Sequence, residues 1–107
     1  MAQKAKNEVM HLAIEGELTI FRTQELREAI MPVISASEEI EIDVSGVTEV
    51  DAAGMQLLVS TKIEAFLRGK TLRYLGHSKP ILHMIDLCDL GEFFGDAIVM
   101  ESNAAAH

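Results

Sequence analysis

Apolar and polar residues alternate along Val9–Ile14, which is the two-residue period of a β-strand. Glu15-Gly16-Glu17 then supplies turn-forming residues, and Leu18–Phe21 is rich in strand formers. The pattern therefore predicts a β-hairpin at the N-terminal end of the chain.

A second alternating segment, Ile40–Val44, places Ile40, Ile42 and Val44 on one face and Glu39, Glu41 and Asp43 on the other. A strand covered by helices on both faces would be continuously apolar, so one face of this strand should meet water. Two further segments, Thr71–Leu75 and Ile98–Met100, are also strand candidates.

Helical spacing of apolar residues predicts a first helix after Thr23, which suits the N-cap position. Pro32 lies inside this pattern and costs about 3 kcal/mol in a helix interior. We expect a kink at Pro32 or an end near Met31. A third helix should begin at Ser78, with Pro80 in its first turn, and should end at Gly91.

The second predicted helix runs from about Ala52 to about Arg68 and ends at Gly69. Its expected buried stripe comprises Met55, Leu58, Val59, Ile63, Phe66 and Leu67. The resulting order, β-β-α-β-α-β-α, predicts a single α/β domain with a mixed sheet of four to five strands. The helices should pack mainly on one face of that sheet.

Composition narrows the function. The 17 acidic and 9 basic side chains give a net charge of −8, which opposes binding to a phosphate backbone, so nucleic acid is not an expected partner. No apolar run approaches the roughly 20 residues that span a bilayer. The single cysteine excludes an internal disulfide and makes a cytoplasmic location the default expectation.

The ionisable residues that could bind metals are scattered along the chain. His11, His77 and His83 lack metal-ligand spacing, so no metal or other cofactor is expected. Cys88 falls at a position predicted to be buried on the third helix, which favours an inert thiol.

The most informative segment is predicted to be a short strand around Ile40–Val44, a tight loop, and a helix that starts at Asp51. A helix start presents unpaired N–H groups and a partial positive charge, which suits a phosphorylation switch. Here, however, Ala52 and Ala53 follow Asp51, and alanine has no hydroxyl to accept a phosphoryl group.

Three motifs resemble those of the STAS domain, the domain of sulphate transporters and anti-sigma factor antagonists. They are Gly16-Glu17-Leu18-Thr19, the strand end Asp43-Val44-Ser45, and Asp51-Ala52-Ala53-Gly54-Met55 with Leu57-Leu58. The resemblance implies a STAS-like domain over residues 8–101, with flexible termini at 1–7 and 102–107. It also implies a non-catalytic, cytoplasmic bacterial protein that acts in signal transduction and transcription regulation by docking.

In the antagonist branch, the unphosphorylated protein binds an ATP-dependent kinase that is also an anti-sigma factor. The resemblance matches Asp51 to the motif aspartate and Ala52 to the phosphorylated position, so the usual switch is missing here. The predicted partner-binding and regulatory residues are Asp43, Ser45, Asp51, Ala52, Ala53, Gly54 and Met55.

Structural roles compete with these functional ones. Asp51 is an expected N-cap, and Asp43 could accept hydrogen bonds from the loop that follows it. Three other functions stay open: a small STAS subunit of a lipid-transport ABC system, a chemotaxis-associated STAS protein bound to a chemotaxis kinase, and a Mg²⁺-dependent receiver phosphorylated on Asp43.

Overall fold

The structure, a computed structural model, describes residues 8–94. The elements in chain order are β1 (Val9–Leu18), α1 (Thr23–Ala36), β2 (Glu39–Val50), α2 (Ala52–Leu67), β3 (Thr71–Leu75), α3 (Lys79–Leu87) and α4 (Gly91–Phe94).

Within residues 8–94 the three strands form one sheet in the order β1-β2-β3, and both neighbouring pairs are parallel. β2 is central, with Asp43 opposite Ala13 of β1 and Leu75 of β3. Each parallel pair is joined by a helix, because parallel strands need a crossover connection. Ile42 is fully buried whereas Asp43 is exposed, so the helices cover one face of β2 and leave its acidic face open.

The predicted hairpin is wrong. Glu15-Gly16-Glu17 lies inside β1, where the pairing with β2 shifts register twice and Gly16 adopts φ +83°. Arg22 Nη1 donates hydrogen bonds of 2.7 Å to the carbonyls of Glu15 and Glu17. The glycine therefore lets one strand bulge and does not reverse the chain.

The predicted α/β class is confirmed, but the described sheet has three strands, fewer than the four to five predicted, and all are parallel. The segment Ile98–Met100 and both predicted flexible termini lie outside the described residues. Helix α1 continues through Pro32 to Ala36, so it does not end near Met31, and its N-cap is Arg22 instead of Thr23.

Helix α2 begins after Asp51, as predicted, but it buries a different face. Ile63, Phe66 and Leu67 of the predicted stripe are 43%, 77% and 73% exposed. The buried side chains that replace them are Leu57, Thr61 and Ala65, whereas Met55 and Leu58 are buried as predicted. Cys88 is exposed, which corrects its predicted burial.

The core fills the space between the helices and the covered face of the sheet. Its largest fully buried side chain is Tyr74 of β3, whose hydroxyl hydrogen-bonds Thr61 of α2. Phe94 is buried against Tyr74 and closes one end of the core. Across residues 8–94, no helix has the length and apolar character needed to cross a membrane.

Candidate functional site

Asp51 connects the start of α2 to the loop that follows β1 through hydrogen bonds of its side chain. Its Oδ1 accepts a 2.9 Å hydrogen bond from the N–H of Gly54, which is the N-cap bond of α2. Its Oδ2 accepts a 3.0 Å bond from the N–H of Ile20. The backbone N–H of Asp51 also donates to the carbonyl of Leu18 at 3.3 Å. One carboxylate thus holds two segments that are 31 residues apart in sequence.

These two donors set the charge state of the carboxylate. The N–H groups of Ile20 and then Gly54 stabilise the anion and hold the pKa of Asp51 below its ordinary value of 3.8. Above that pH the side chain is therefore an anion in both the folded and the unfolded protein.

Replacing Asp51 with alanine should lower the free energy of unfolding by about 1–2 kcal/mol, because it removes the helix cap and the loop contact together. The folded-state pKa is depressed, so this stability is present above about pH 4 and is lost as the pH falls through the folded pKa. Urea unfolding of both proteins at neutral and acidic pH measures the difference. An equal gap between the two proteins at every pH would contradict this assignment.

Close packing of backbone against backbone requires a glycine at position 54. A Cβ atom at this position would lie 2.0 Å from the carbonyl oxygen of Leu18, well inside any van der Waals contact. The first turn of α2 therefore lies directly against the end of β1, and only glycine fits there.

An exposed apolar surface surrounds this helix start. Ile20 and Phe21, in the β1–α1 loop, are 60% and 87% exposed, and Ala52 is also exposed. We call the group Ile20, Phe21, Asp51, Ala52 and Ala53 the Asp51 surface. An open groove of about 350 Å³ continues from it between α1 and α2, lined by Ile20, Thr23, Gln24, Arg27, Ala53, Gln56 and Leu57.

The other predicted site residues lie elsewhere or are inaccessible. Gly54 and Met55 are buried, so they position the Asp51 surface without reaching a partner. Asp43 and Ser45 lie on the open face of β2. Asp43 is eight residues before Asp51, a distance of up to roughly 26 Å along an extended strand.

Asp43 has a local structural role. Its Oδ1 accepts a 2.8 Å hydrogen bond from the N–H of Ser45, and this bond lowers the pKa of the Asp43 carboxyl. A Cβ atom at Gly76 would approach the same oxygen to 2.8 Å, so Asp43 packs closely on the turn after β3. The expected local bond is present, but Ser45 lies within β2, so the predicted loop after Asp43 is wrong.

Ile20 and Phe21 are the members of the Asp51 surface that the sequence pattern missed. Both were assigned to the second strand of a hairpin, because β-branched and aromatic side chains favour strands. Their exposure follows from the way β1 ends at Leu18, which no local pattern reveals. Among residues 8–94, no group of three or more His, Cys, Asp or Glu side chains is arranged to hold a metal ion.

The sequence was compared with models of protein families and with curated proteins. The family model described as "Mlab, STAS domain" matches residues 1–100. A search of curated proteins finds no match.

Three solved structures share the fold. One is a sulfate transporter family protein from Wolinella succinogenes, with a TM-score of 0.68, 20% identity, and coverage of 81% of this chain and 71% of that chain. The second is the unphosphorylated anti-sigma factor antagonist SpoIIAA, with a TM-score of 0.63, 19% identity, and coverage of 94% and 91%. The third is the STAS domain of a SulP transporter from Vibrio cholerae, with a TM-score of 0.65, 18% identity, and coverage of 99% and 94%.

These structures are similar to this chain in fold, and the family model covers nearly its whole length. The chain belongs to the STAS domain family.

Proposed function

We propose that this protein is a non-catalytic docking domain that binds an ATPase-type signalling protein through the Asp51 surface, in the manner of an anti-sigma factor antagonist. The observation that carries the proposal is the exposed apolar pair Ile20 and Phe21 beside the start of α2. Exposed apolar patches on a small soluble domain commonly serve protein–protein contacts. STAS domains mediate such contacts, and SpoIIAA, which shares the fold, is itself an anti-sigma factor antagonist.

The two alanines at the helix start define how this surface is regulated. A phosphoserine carries a charge of about −1.5 to −2 at neutral pH and would sit directly beside the carboxylate of Asp51. Such a charge on an apolar surface opposes docking through both desolvation and repulsion. Ala52 and Ala53 cannot carry it, so the surface stays in its binding form, and control passes to the partner or to the amount of protein.

A second partner class is favoured by the same alanines. An ATPase that does not phosphorylate its STAS partner, such as the ATPase of a lipid-transport ABC system, needs no hydroxyl at position 52. An anti-sigma kinase, in contrast, would find no acceptor there. The chemotaxis kinase left open by the sequence belongs with the phosphorylating class.

Binding to purified ATPases of these classes tests the proposal. Ala52→Asp places a charge at the helix start, and Phe21→Ser removes an apolar contact. Each should weaken binding about tenfold or more, as expected for changes near the centre of an interface. Leu87→Ser is the matched control, since Leu87 is similarly exposed, at 69%, on α3. Unchanged affinity in both test variants would place the interface elsewhere on the molecule.

Ala52→Ser separates the two partner classes. With an anti-sigma kinase and ATP, this variant should gain one phosphoryl group while the parent chain gains none at residues 51–54. Intact-mass measurement followed by peptide mapping reports both results. Binding without phosphate transfer to Ala52→Ser would favour the non-phosphorylating ATPase, and phosphate on Asp43 would instead support the receiver hypothesis.

A further inference from the structure

A second exposed apolar surface lies at the other end of α2. Ile63, Phe66 and Leu67 follow the i, i+3, i+4 spacing that places side chains on one side of a helix. They are 43%, 77% and 73% exposed. With Lys62 and Lys70 they form what we call the α2 C-terminal patch. It is a separate feature from the Asp51 surface, which lies at the first turn of the same helix.

Basic residues concentrate around these apolar side chains. Residues 62–73 contain four basic side chains and one acidic side chain, in a chain whose net charge is −8. An open cleft of about 230 Å³ runs through the patch, lined by Lys62, Phe66, Lys70, Thr71, Leu72 and Arg73.

Among residues 8–94, two of the four positive charges are paired with a carboxylate and two are not. Arg68 pairs with Glu64 at 2.8 Å, and Arg73 pairs with Glu41 at 2.9 Å. Lys62 and Lys70 donate to neutral carbonyl oxygens, of Leu72 in the first case and of Ile34 and Ser35 in the second. Within residues 8–94, neither lysine forms an ion pair with a carboxylate.

The environment of Lys62 makes its charge available to an external anion. Its side chain is partly buried, and burial together with the neighbouring Arg73 guanidinium lowers the pKa of its ammonium group. An anion placed in the cleft would offset both effects, because an opposite charge nearby favours the charged form.

We propose that the α2 C-terminal patch binds an acidic, amphipathic helical segment of a partner protein, with its apolar side chains on Phe66 and Leu67 and its carboxylates on Lys62 and Lys70. Apolar side chains beside these lysines match such a segment in both apolar character and charge. This docking is additional to the function proposed for the Asp51 surface and does not depend on it.

Two other occupants fit less well. A second copy docked by two-fold symmetry would place two basic patches against each other, and like charges oppose such an interface. An extended anionic membrane would also face the acidic remainder of this chain, which it would repel. A single helical segment would contact only the α2 C-terminal patch and would avoid the acidic remainder of the chain.

Fluorescence anisotropy with a labelled helical peptide, leucine on one face and glutamate on the other, tests the proposal on the full chain. Phe66→Ser should weaken binding about tenfold, and Lys62→Gln about fivefold. Lys79→Gln, which alters an exposed lysine on α3, is the matched control and should bind as the parent does. Added salt should weaken binding of the acidic peptide to the parent protein.

Further controls make the result decisive. A peptide with lysine in place of glutamate should not bind, and Phe21→Ser should bind the acidic peptide normally, which separates this surface from the Asp51 surface. Far-UV circular dichroism and urea unfolding verify that each variant is folded. Equal binding of the acidic and basic peptides, or parent-like binding by folded Phe66→Ser and Lys62→Gln, would overturn the proposal.

A photo-cross-linker at position 66 identifies other occupants. Cross-links to the acidic peptide support the proposal. Cross-links to residues 95–107 of the same chain or to a second copy, both persisting with peptide in excess, would overturn it. So would co-sedimentation with phosphatidylserine vesicles that the peptide fails to displace.

Discussion

Replacing Gly54 with alanine should lower the free energy of unfolding by about 3 kcal/mol or more, the upper range for overpacking a tightly filled site. The new methyl group would lie 2.0 Å from the carbonyl oxygen of Leu18 and 2.8 Å from the Leu18 Cγ. The first of these atoms is backbone, so no rotamer change relieves the clash. The end of β1 and the start of α2 must separate, and the Asp51 bonds to Ile20 and Gly54 would be strained with them.

Gly91→Ala is the matched control. Gly91 also begins a helix, but apart from its chain neighbours and its own helix backbone, no described atom lies within 4 Å of the position a Cβ would take. The free energy of unfolding of Gly91→Ala should differ from that of the parent by less than about 1 kcal/mol. A slight increase is expected if anything, because alanine restricts the unfolded chain. Urea unfolding of the two variants side by side gives the comparison. Similar destabilisation of both would mean that the contact with Leu18 is not what excludes a side chain at position 54.

Removing Thr61, which accepts the hydrogen bond of the buried Tyr74 hydroxyl, should lower the free energy of unfolding more than removing the Tyr74 hydroxyl itself. The Thr61 hydroxyl donates its only hydrogen to the carbonyl of Leu57 at 2.8 Å, so the Thr61 oxygen accepts the hydrogen of the Tyr74 hydroxyl. Thr61→Val leaves the buried Tyr74 hydroxyl with no hydrogen-bond partner among residues 8–94 and should lower the free energy of unfolding by about 2–3 kcal/mol. Tyr74→Phe leaves Thr61 bonded to Leu57 and should cost about 1 kcal/mol.

Thermal or urea unfolding of the two single variants and the double variant measures this asymmetry. In the double variant both hydroxyls are gone, so its loss should be smaller than the sum of the single losses. Equal losses in the two single variants would contradict the hydrogen-bond direction assigned here.

The same buried phenol predicts an alkaline limit to stability. Burial raises the pKa of Tyr74 above its ordinary value of 10.0. A raised folded-state pKa gives stability that is fully present below pH 10 and is lost as the pH rises from there toward the folded pKa. Tyr74→Phe should lose less stability over this alkaline range than the parent, and unfolding series on both sides of pH 10 would show it.

The parts of the fold that obey local rules could be predicted from sequence. The start of α2 followed from an aspartate before a helical run, and the buried face of β2 from the alternation of Ile40, Ile42 and Val44 with acids. In each case the residue types and their spacing determine the local conformation by themselves.

The failures came where several conformations satisfy the same pattern. Glycine at position 16 permits both a turn and a bulge, and the choice depends on Arg22 binding the carbonyls on either side. Helix α2 has apolar residues on several sides, so spacing alone could not say that Thr61 is buried and Phe66 exposed. The exposed pair Ile20 and Phe21 depends in turn on where β1 ends.

In the proposed function, the two hydrogen bonds that Asp51 accepts have a consequence for the rate of partner binding. Because one carboxylate ties the loop at Ile20 to the first turn of α2, both halves of the surface are already in place before a partner arrives. Little ordering entropy is then lost in the complex, and encounter needs no slow rearrangement. Mutations that cut this tie while leaving the apolar side chains intact should loosen the free surface, so a complex would form less efficiently even though every contacting group is still available.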